Sequence, residues 1–562
     1  MLNEKQRTAV EHWKGPCLTI APPGSGKTKC LVERVVHLIR VHHVKPGNIL
    51  VLTFTNEAAR EMKDRFIGEF SSYENLPFFG TFHSLFFQIL KEEYSYQQSN
   101  ILKQQQSISC LKEALNQHGI SYASINLLDL VKEFSCCINK NIMPKEFESN
   151  VLQHGFFQVF QTYREKKKKH HLIDFDDMMI LVLELFQSRP EILQKWQKRY
   201  DYILLDEMQD INELQFQIVQ LLLKEEQNIF AVGDDDQSIY GFRGSNPKIM
   251  LSFQKHFPNT KMIVLDTNYR SLRQIIEVSN HFICHNKNRY EKDCKGFLDG
   301  FGNVKYLKFQ EEGDQVQYII NYIKTKNPSS LGILYRSKSD ALLLAQMLEC
   351  QKIPYFSKES FSDKILNIVL SNLITCLKLG YDLEVKHTEE SDFCKGPLAF
   401  DSLRHLSLFA GINYIRKGLG YDRYLYNRFE KDASFLEYAF RVCDLLQNET
   451  MNLPPTLSVT EKIEVLEGYK TKEAYRQKNK EDAKVFLYTY HGSKGLEFDE
   501  VFLITVNEGM VPSKFCESDM EEERRMFYVA LTRAKFSLRI CCIKNRGGKE
   551  YQPSRFINEM KN

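Results

Sequence analysis

The chain has 562 residues, which at roughly 150 residues per domain predicts three to four folded units rather than one. Hydrophobic residues make up 43% of the chain and charged residues 26%, which is ordinary globular usage and excludes a wholly disordered, collagen-like or mucin-like protein. The formal net charge is +3, too balanced to argue for or against nucleic-acid binding, so any basic surface must be local.

The 14 cysteines are scattered and no CxxC pair occurs, which disfavours zinc ribbons and iron–sulfur clusters. Unpatterned cysteines in a large chain fit a reducing compartment, and the polar start MLNEKQRTAVEHWKG does not resemble a signal peptide. The longest apolar runs fall far short of the roughly 18 residues that a membrane span needs. We therefore expect a cytoplasmic protein that does not cross a membrane.

Short apolar runs bounded by turn residues alternate with longer amphipathic stretches, which is typical of α/β domains with parallel sheets. This pattern occurs twice, and each occurrence predicts a sheet of its own. The first set of predicted strands covers residues 17–21, 49–54, 202–205, 229–232 and 262–265. The second set covers residues 332–335, 485–490, 501–506 and 538–543.

Each set is interrupted by a long stretch with a mainly helical pattern, residues 89–198 in the first and 381–480 in the second. Stretches of this length cannot be loops in a compact domain, so we interpret each as a helical subdomain inserted into its parent sheet. The predicted class is therefore α/β. The predicted domains are 1–88 with 199–271, an insertion at 89–198, 272–380 with 481–562, and an insertion at 381–480.

Residues 17–28, CLTIAPPGSGKT, combine an apolar strand, a glycine-containing turn and the start of a helix. In such a phosphate-binding loop, backbone N–H groups converge on phosphate oxygens, Lys27 reaches the β and γ oxygens, and Thr28 holds Mg²⁺. Ala21 stands where the strict GxxxxGK[ST] pattern has glycine, and a glycine-rich turn without a ligand is the alternative. The predicted nucleotide-binding residues here are Pro22, Pro23, Gly24, Ser25, Gly26, Lys27, Thr28 and Lys29.

The segment YDYILLDEMQD supplies the carboxylates that such a loop requires, at the end of another apolar strand. Asp206 would bind the metal, and Glu207 would orient and deprotonate an attacking water. This division of roles predicts a hydrolase rather than a kinase. An acidic loop after a buried strand is the alternative.

Segments along nearly the whole chain resemble, in order and context, the motifs of the UvrD/Rep-type superfamily 1 (SF1A) DNA helicases. In the first half these segments are LNEKQRTAV, APPGSGKT, TFTNEAAREM, GTFHSL, LLDEMQD, GDDDQSIYGFRGS and LDTNYRS. In the second half they are LYRS, YHGSKGLEFDEVFL and EEERRMFYVALTRAK. The resemblance implies two RecA-like P-loop domains, each with a mainly helical insertion, that bind ATP and Mg²⁺ in the cleft between them.

The resemblance also assigns nucleotide roles outside the phosphate loop. Gln6 would read the adenine edge, Tyr269 would stack on adenine, and Glu497 would contact the ribose or phosphates. Gln237 would sense the γ-phosphate, and Arg270 and Arg533 would be arginine fingers. Each of these six could instead be an ordinary surface or interface residue.

The same resemblance implies a platform for single-stranded DNA in SIYGFRGS, where the family commonly has Trp in place of Phe242. Aromatic rings would stack on bases, and cationic or polar groups would contact the backbone. The implied DNA-binding residues are Phe54, Asn56, Thr81, His83, Tyr240, Phe242, Arg243, His491 and Lys494.

Together these residues imply an ATP-dependent 3′–5′ helicase and translocase that acts on single-stranded DNA and single-strand/duplex junctions. One alternative is a motor or remodelling subunit that works with a separate nuclease, repair or defence protein and unwinds little alone. Another is a nucleotide-gated module that holds DNA without moving, which the presence of Glu207 argues against.

The sequence does not decide the roles of two stretches in the insertions. YREKKKKHH at 163–171 is a DNA-facing loop or, as we favour, a solvated helix end, and Phe175 after it is expected to be structural. GINYIRKGLGYDRYL at 411–425 could equally contact nucleic acid or form an amphipathic helix. The second insertion as a whole is shorter than the corresponding family subdomain.

Overall fold

The protein is described by a computed structural model in which the chain forms two compact units. The first unit comprises Met1–Gly300 and Arg524–Tyr528, and the second comprises Phe301–Glu523 and Val529–Asn562. The finer division into four subdomains stays a prediction. The residues described are 2–69, 75–122, 125–241, 244–358, 360–361, 364–385, 392–395, 400–429, 433–468, 475–477, 479–514, 519–546 and 548–561.

Among the described residues, a parallel six-stranded sheet forms the centre of the first unit. Its strands are β1 (Cys17–Ile20), β2 (Ile49–Thr53), β3 (Phe78–Thr81), β4 (Tyr202–Leu205), β5 (Ile229–Gly233) and β6 (Lys261–Val264). Their order is β3-β2-β4-β5-β1-β6, so β1 lies between β5 and β6. A short parallel pair, β7 (Thr267–Asn268) with β8 (Lys295–Gly296), follows this sheet.

Helices cover both faces of this sheet, because alternate residues of its apolar strands point to opposite sides. Leu18 and Leu50 belong to one hydrophobic core, whereas Cys17 and Ile49 belong to the other. The helices of this unit are α1 (Glu4–Glu11), α2 (Lys27–Arg40), α3 (Asn56–Glu69), α4 (Phe82–Tyr94), α5 (Gln104–Gln117), α6 (Leu127–Asn139), α7 (Phe156–Lys169), α8 (Phe175–Ser188), α9 (Pro190–Arg199), α10 (Glu213–Leu222), α11 (Pro247–Leu251), α12 (Phe253–His256) and α13 (Arg273–Ile283).

Helices α5, α6 and α7 have a hydrophobic core of their own, with Leu111, Phe134 and Phe160 among its buried side chains. Helix α8, by contrast, contributes Val182 and other residues to the core on the sheet. The inserted segment is therefore partly a separate bundle and partly a layer of the sheet domain.

The second unit contains the other predicted sheet, with eight strands among the described residues. They are β9 (Asn303–Glu311), β10 (Leu331–Tyr335), β11 (Tyr355–Ser357), β12 (Arg476–Gln477), β13 (Val485–Thr489), β14 (Phe498–Leu503), β15 (Ala534–Arg546) and β16 (Lys549–Glu550). The order is β12-β11-β13-β10-β14-β15-β16, and β9 pairs with β15. All pairs are parallel except β15 with β16, so the predicted α/β class with two parallel sheets is confirmed.

The helical insertion of the second unit shares one continuous hydrophobic core with the sheet layer. Ile333 of β10, Leu373 and Val442 all belong to this core. The helices of the unit are α14 (Glu312–Lys326), α15 (Leu342–Cys350), α16 (Lys364–Gly380), α17 (Leu408–Asn413), α18 (Tyr421–Phe429), α19 (Ala433–Asn452), α20 (Val459–Glu467), the two ends of α21 (Met520–Leu531) and α22 (Arg555–Glu559). The middle of α21, Arg524–Tyr528, belongs to the first unit. No helix within the described ranges is long and apolar enough to span a membrane.

The stretch 411–425 is built into this helical core. Tyr421 is fully buried, and the buried Arg416 donates to Asp422 at 3.0 Å and to Asp444 at 2.6 Å. These contacts favour the helix interpretation of the stretch, because its central cation is already paired inside the protein.

The basic run at the end of α7 contains a buried cation. Lys167 lies four residues after Tyr163 on the same helix face, and its ammonium contacts the carboxylates of Asp174 and, at 2.7 Å, Asp177. Burial alone would lower the pKa of Lys167, but these two carboxylates raise it above its usual value. Lys168 and Lys169 are exposed, so the expectation of a solvated helix end holds for part of the run only.

Lys167→Met should loosen the junction of α7 with α8, because it leaves two largely buried carboxylates without their cation. We expect a loss of up to about 3 kcal/mol, the lower end for a broken buried pair, since Asp174 keeps some contact with solvent. Hydrogen exchange of the α7 and α8 amides measures the effect locally. Lys168→Met is the matched control, and equal exchange rates in the two variants would contradict the prediction.

Candidate nucleotide site and nucleic-acid interface

The carboxyl ends of the parallel strands in the first unit meet at one edge of the sheet, where open α/β sheets bind ligands. The loop after β1 contains the phosphate-loop sequence, and the loop after β4 contains Asp206 and Glu207. The segments after β2, β3 and β5 contain Phe54, His83 and Tyr240. The fold therefore brings the predicted nucleotide and DNA residues of this unit to a common edge.

The phosphate loop requires glycine at two positions. Gly24 and Gly26 have φ angles of +75° and +86°, in the left-handed region that glycine adopts at little cost. A Cβ atom at Gly24 would lie 2.6 Å from Oδ1 of Asn268, and one at Gly26 would lie 2.9 Å from Nε2 of Gln6. Helix α2 begins at Lys27, directly after Gly26, so its N-terminal N–H groups face the loop.

Three separate segments are tied together around this loop. Gln6 is buried, and its Nε2 donates to the carbonyl of Ser25 at 2.9 Å while its Oε1 accepts from the N–H of Asn3. Asn3 Nδ2 donates to the hydroxyl of Tyr269 at 2.8 Å, and the Tyr269 N–H donates to the carbonyl of Gly24. Gln6 and Tyr269, both predicted to contact adenine, therefore lie beside the phosphate loop.

Arg270 also lies beside the phosphate loop. Its N–H donates to Oδ1 of Asn268 at 2.8 Å, and its own Cβ would be 2.8 Å from a Cβ placed at Gly24. The predicted arginine finger of the first unit is thus adjacent to the loop that would hold the phosphates.

Lys27, Asp206 and Glu207 form the charged centre of the site. The Lys27 ammonium lies 3.5 Å from Oε2 of Glu207. Asp206 is buried; its Oδ2 accepts from Thr53 at 3.5 Å, while its Oδ1 is buried without a hydrogen-bond partner among the described residues. Burial is the main cause that raises the pKa of Asp206 to about 7, and the nearby charge of Glu207 is the second. The positive charge of Lys27 acts in the opposite direction.

Glu207 has φ 50° and ψ 47°, a left-handed conformation that is costly for a residue with a side chain and that often occurs at functional sites. Its carboxylate accepts from Nε2 of Gln209 in addition to the contact with Lys27. Gln209 is fully buried, and sequence reasoning assigned it no role although it lies within the quoted motif LLDEMQD.

Gln237, the predicted γ-phosphate sensor, is held in a buried cluster of acidic residues. Its Nε2 donates to Oδ2 of Asp234 at 2.6 Å. Lys292 contacts Asp234, Asp235 and Asp236 at 2.6 to 2.8 Å. Burial alone would lower the pKa of Lys292, but the three carboxylates raise it above its usual value. The sequence offered no signal for Lys292, because it lies 58 residues from Asp234 in a polar segment.

A cavity of about 540 Å³ opens between the sheet edge and the inserted helices of the first unit. Phe54, Thr81, His83 and Tyr240, all predicted to bind DNA, line it together with insertion residues that include Phe175. The rings of Phe54 and Tyr240 are stacked, with centroids 5.4 Å apart and planes 9° apart. The structure thus gathers four of the predicted DNA residues around one space of base-accommodating size.

The expectation that Phe175 is structural was wrong. Its side chain is 58% exposed, and its ring lies edge-on to His83 with centroids 5.0 Å apart at the cavity wall. The sequence pattern could not reveal this exposure, because it depends on how α8 packs against the sheet.

Asn56 is exposed at the start of α3, outside the described lining of the cavity. Thr81 caps α4, since its Oγ1 accepts from the N–H of Ser84 at 3.2 Å. Phe242 and Arg243 lie outside the described residues.

The remaining predicted residues outside the phosphate loop belong to the second unit. Arg533 is buried, and its guanidinium donates to the carbonyls of Val529 at 2.8 Å and Leu496 at 3.1 Å. Glu497 is paired with Lys535 at 2.9 Å. His491 and Lys494 lie in the turn that follows β13, partly exposed.

His83→Gln should reduce the acid sensitivity of the fold. Burial lowers the pKa of His83 from 6.5 to about 4, so the unfolded chain binds this proton more readily. The stability linked to His83 is therefore present above pH 6.5 and lost as the pH falls from 6.5 towards 4. Urea denaturation across this range should show a smaller loss for His83→Gln than for the unchanged chain. The exposed His154→Gln is the control, and identical pH dependence of all three proteins would refute the assignment.

Comparison with known proteins identifies the family. A model of the UvrD/REP helicase N-terminal domain matches residues 2–258, and a model of the UvrD-like helicase C-terminal domain matches residues 263–374 and 440–545. Similar relatives include YjcD of Bacillus subtilis (strain 168), 31% identical over 630 residues, with 99% of this chain and 80% of the relative covered.

Two further relatives are similar to nearly the same extent. The ATP-dependent DNA helicase PcrA of Leuconostoc citreum is 30% identical over 638 residues, covering 100% of this chain and 84% of the relative. The ATP-dependent DNA helicase Rep of Buchnera aphidicola subsp. Acyrthosiphon pisum (strain APS) is 30% identical over 650 residues, covering 100% and 98%.

These alignments are longer than the 562 residues of the chain, so the relatives carry additional residues inside the aligned region. The C-terminal family model also leaves residues 375–439 unmatched, a stretch that includes the first part of the second helical insertion. The resemblance predicted from the motifs is confirmed: the chain belongs to the UvrD/REP helicase family.

Proposed function

We propose that the protein is an ATP-dependent DNA helicase and translocase that moves 3′ to 5′ on single-stranded DNA in the cytoplasm. The observation that carries this proposal is the common sheet edge of the first unit, which holds Lys27, Asp206 and Glu207 beside the cavity of Phe54 and Tyr240. The 3′ to 5′ direction is taken from the resemblance to the family.

The phosphate loop would bind the triphosphate of ATP through its backbone N–H groups and Lys27. Gln6 and Tyr269 would contact adenine, and Glu497 the ribose or phosphates. The residues present fit a Mg²⁺ ion, because Oδ1 of Asp206 is a buried carboxylate oxygen to which no described residue donates a hydrogen bond, and because Thr28 lies in the first turn of α2. When bound, Mg²⁺ neutralises charge on the phosphate oxygens.

Hydrolysis requires a base for water and cations for the developing charge. Glu207 would accept a proton from the attacking water. The oxygen of this water would bond to the γ-phosphorus while the bond between that phosphorus and the bridging oxygen breaks, which yields ADP and phosphate. Gln237 would contact the γ-phosphate, and Arg270 and Arg533 would act as arginine fingers. Such a finger contributes about 10³ to 10⁵ in rate.

DNA would occupy the cavity with a base against the stacked pair of Phe54 and Tyr240. Thr81 and His83 line the same cavity, and the lowered pKa of His83 makes it a neutral ring at pH 7. Asn56, Phe242, Arg243, His491 and Lys494 are proposed as further contacts to the DNA strand.

The segment 234–240 would couple the two activities. It begins with Asp234, which holds Gln237, and ends with Tyr240 in the cavity wall. A change in the position of this short segment would therefore alter the contacts both to the γ-phosphate and to the DNA base.

Hydrolysis and movement test the proposal together. ATP turnover is measured with and without single-stranded DNA, and translocation is followed on strands labelled at either end. We expect stimulated turnover and arrival at the 5′ end. Absence of stimulation at saturating DNA would indicate a nucleotide-gated binding module, and movement without fork unwinding would indicate a motor subunit that depends on a separate nuclease, repair or defence protein.

Glu207→Gln should bind ATP but hydrolyse it about 10² to 10⁴ times more slowly, because an amide cannot accept the proton of the attacking water. Single-turnover hydrolysis and binding of a fluorescent ATP analogue measure the two effects separately. Glu225→Gln, which alters an exposed carboxylate, is the control. Near-normal hydrolysis by Glu207→Gln would exclude Glu207 as the base.

Tyr240→Ala should weaken binding of single-stranded DNA by roughly 1 to 3 kcal/mol, the usual contribution of one stacked base. Fluorescence anisotropy with a labelled oligothymidylate measures the affinity. Phe54→Ala and the double variant complete a cycle, in which a shared platform predicts losses that do not add. Tyr94→Ala, an exposed tyrosine of α4 outside the described cavity lining, is the control. Unchanged affinity of Tyr240→Ala would remove the cavity from the DNA path.

A further inference from the structure

We propose that Gln209 is a positioning residue that links the water-activating Glu207 to the segment 234–240, and so makes hydrolysis responsive to DNA. This inference rests on the proposed function and extends it to Gln209, a residue of the segment LLDEMQD to which the sequence analysis assigns no role. It names one side chain through which the state of the DNA-binding segment reaches the base.

Both polar atoms of the Gln209 side-chain amide have hydrogen-bond partners. Its Nε2 donates to Oε2 of Glu207, and its Oε1 accepts from the N–H of Asp234 at 2.9 Å. Its carbonyl accepts from Oγ of Ser238 at 3.0 Å. Because Gln209 is fully buried, water cannot replace these partners when one of them moves.

The amide of Gln209 occupies a space that the end of β5 leaves open for it. A Cβ atom at Gly233 would lie 2.5 Å from Oε1 of Gln209 and 3.1 Å from the backbone nitrogen of Met208. The absence of a side chain at Gly233 therefore allows the loop after β4 to approach the end of β5 closely.

Glu207 needs such a partner because Lys27, a cation that contacts its carboxylate, would also bind the phosphates of ATP. Oε2 of Glu207 receives both Gln209 and, at 3.5 Å, the Lys27 ammonium. When Lys27 turns to the phosphates of bound ATP, Gln209 remains as a neutral donor to the carboxylate. A neutral donor orients Glu207 without the full electrostatic penalty that a cation would impose on its proton-accepting role.

The other end of the link is anchored in the acidic cluster. Oδ1 of Asp234 contacts Lys292 at 2.6 Å, and its Oδ2 accepts from Gln237 at 2.6 Å. The N–H of Asp234 would therefore move together with the segment that carries Gln237 and Tyr240. Displacement of Tyr240 by an incoming base would shift this N–H, then the Gln209 amide, and then the carboxylate of Glu207.

Two variants of Gln209 test the link. Gln209→Met keeps the length and removes both hydrogen bonds, whereas Gln209→Glu keeps the acceptor for Asp234 and loses the donor to Glu207. In both variants we expect kcat with saturating oligothymidylate to fall about tenfold or more, as for a misplaced general base. The KM for ATP and the affinity for oligothymidylate should stay within about twofold of the original values, because the residues that bind them are unchanged.

Gln315→Met is the matched control, since Gln315 is a buried glutamine of the second unit whose Oε1 accepts from the N–H of Thr505 at 3.1 Å. A merely structural role for Gln209 predicts that Gln209→Met and Gln315→Met lower Tm comparably without altering stimulated kcat. The double variant Glu207→Gln with Gln209→Met should be no slower than Glu207→Gln alone, because Gln209 acts through Glu207.

Stimulated kcat close to the original in folded Gln209→Met and Gln209→Glu would overturn the inference, as would a further slowing in the double variant. If Gln209→Met does not fold, Gln209→Glu alone decides. Failure of the proposed function gives a different result, because the unchanged protein itself would then show no stimulation by oligothymidylate.

Discussion

The parallel register of β1, β4 and β5 is the constraint on which the site depends. Because these strands run in the same direction side by side, the residues that follow them emerge at one edge. Lys27, Asp206 and Asp234 are distant in sequence but become neighbours in this way. The buried strand pairs hold the edge rigid, so the loops can carry left-handed and otherwise costly backbone conformations, as at Glu207.

Charge burial at this edge is extensive and is compensated locally. Asp234, Asp235 and Asp236 are all buried, and desolvating three carboxylates would be strongly unfavourable without partners. Lys292 contacts all three, and Arg289 adds a two-pronged contact to Asp236. Asp206 differs from these three, because one of its buried oxygens has no hydrogen-bond partner among the described residues.

The sequence could predict residues whose role follows from a strand end, and it could not predict those whose role follows from packing. Lys27 and Asp206 were found because an apolar run, a turn and a charged group stand together in the chain. The links made by Gln209 and Lys292 depend on which loops the fold brings close, and no local pattern encodes this. Phe175 and Lys167 were misjudged for the same reason, although the spacing of Lys167 from Tyr163 on α7 did contain a usable signal.

The continuous core beneath α16 and α19 bears on how far this polypeptide could be trimmed. Leu373 and Val442 pack in the same hydrophobic cluster as Ile333 of the sheet, so these helices form part of the core of the second unit. Deleting these helices would expose apolar side chains of the sheet and create a hydrophobic patch prone to aggregation. A smaller protein built from this scaffold would therefore need redesigned side chains on the uncovered face, because deletion alone would leave the apolar face of the sheet exposed.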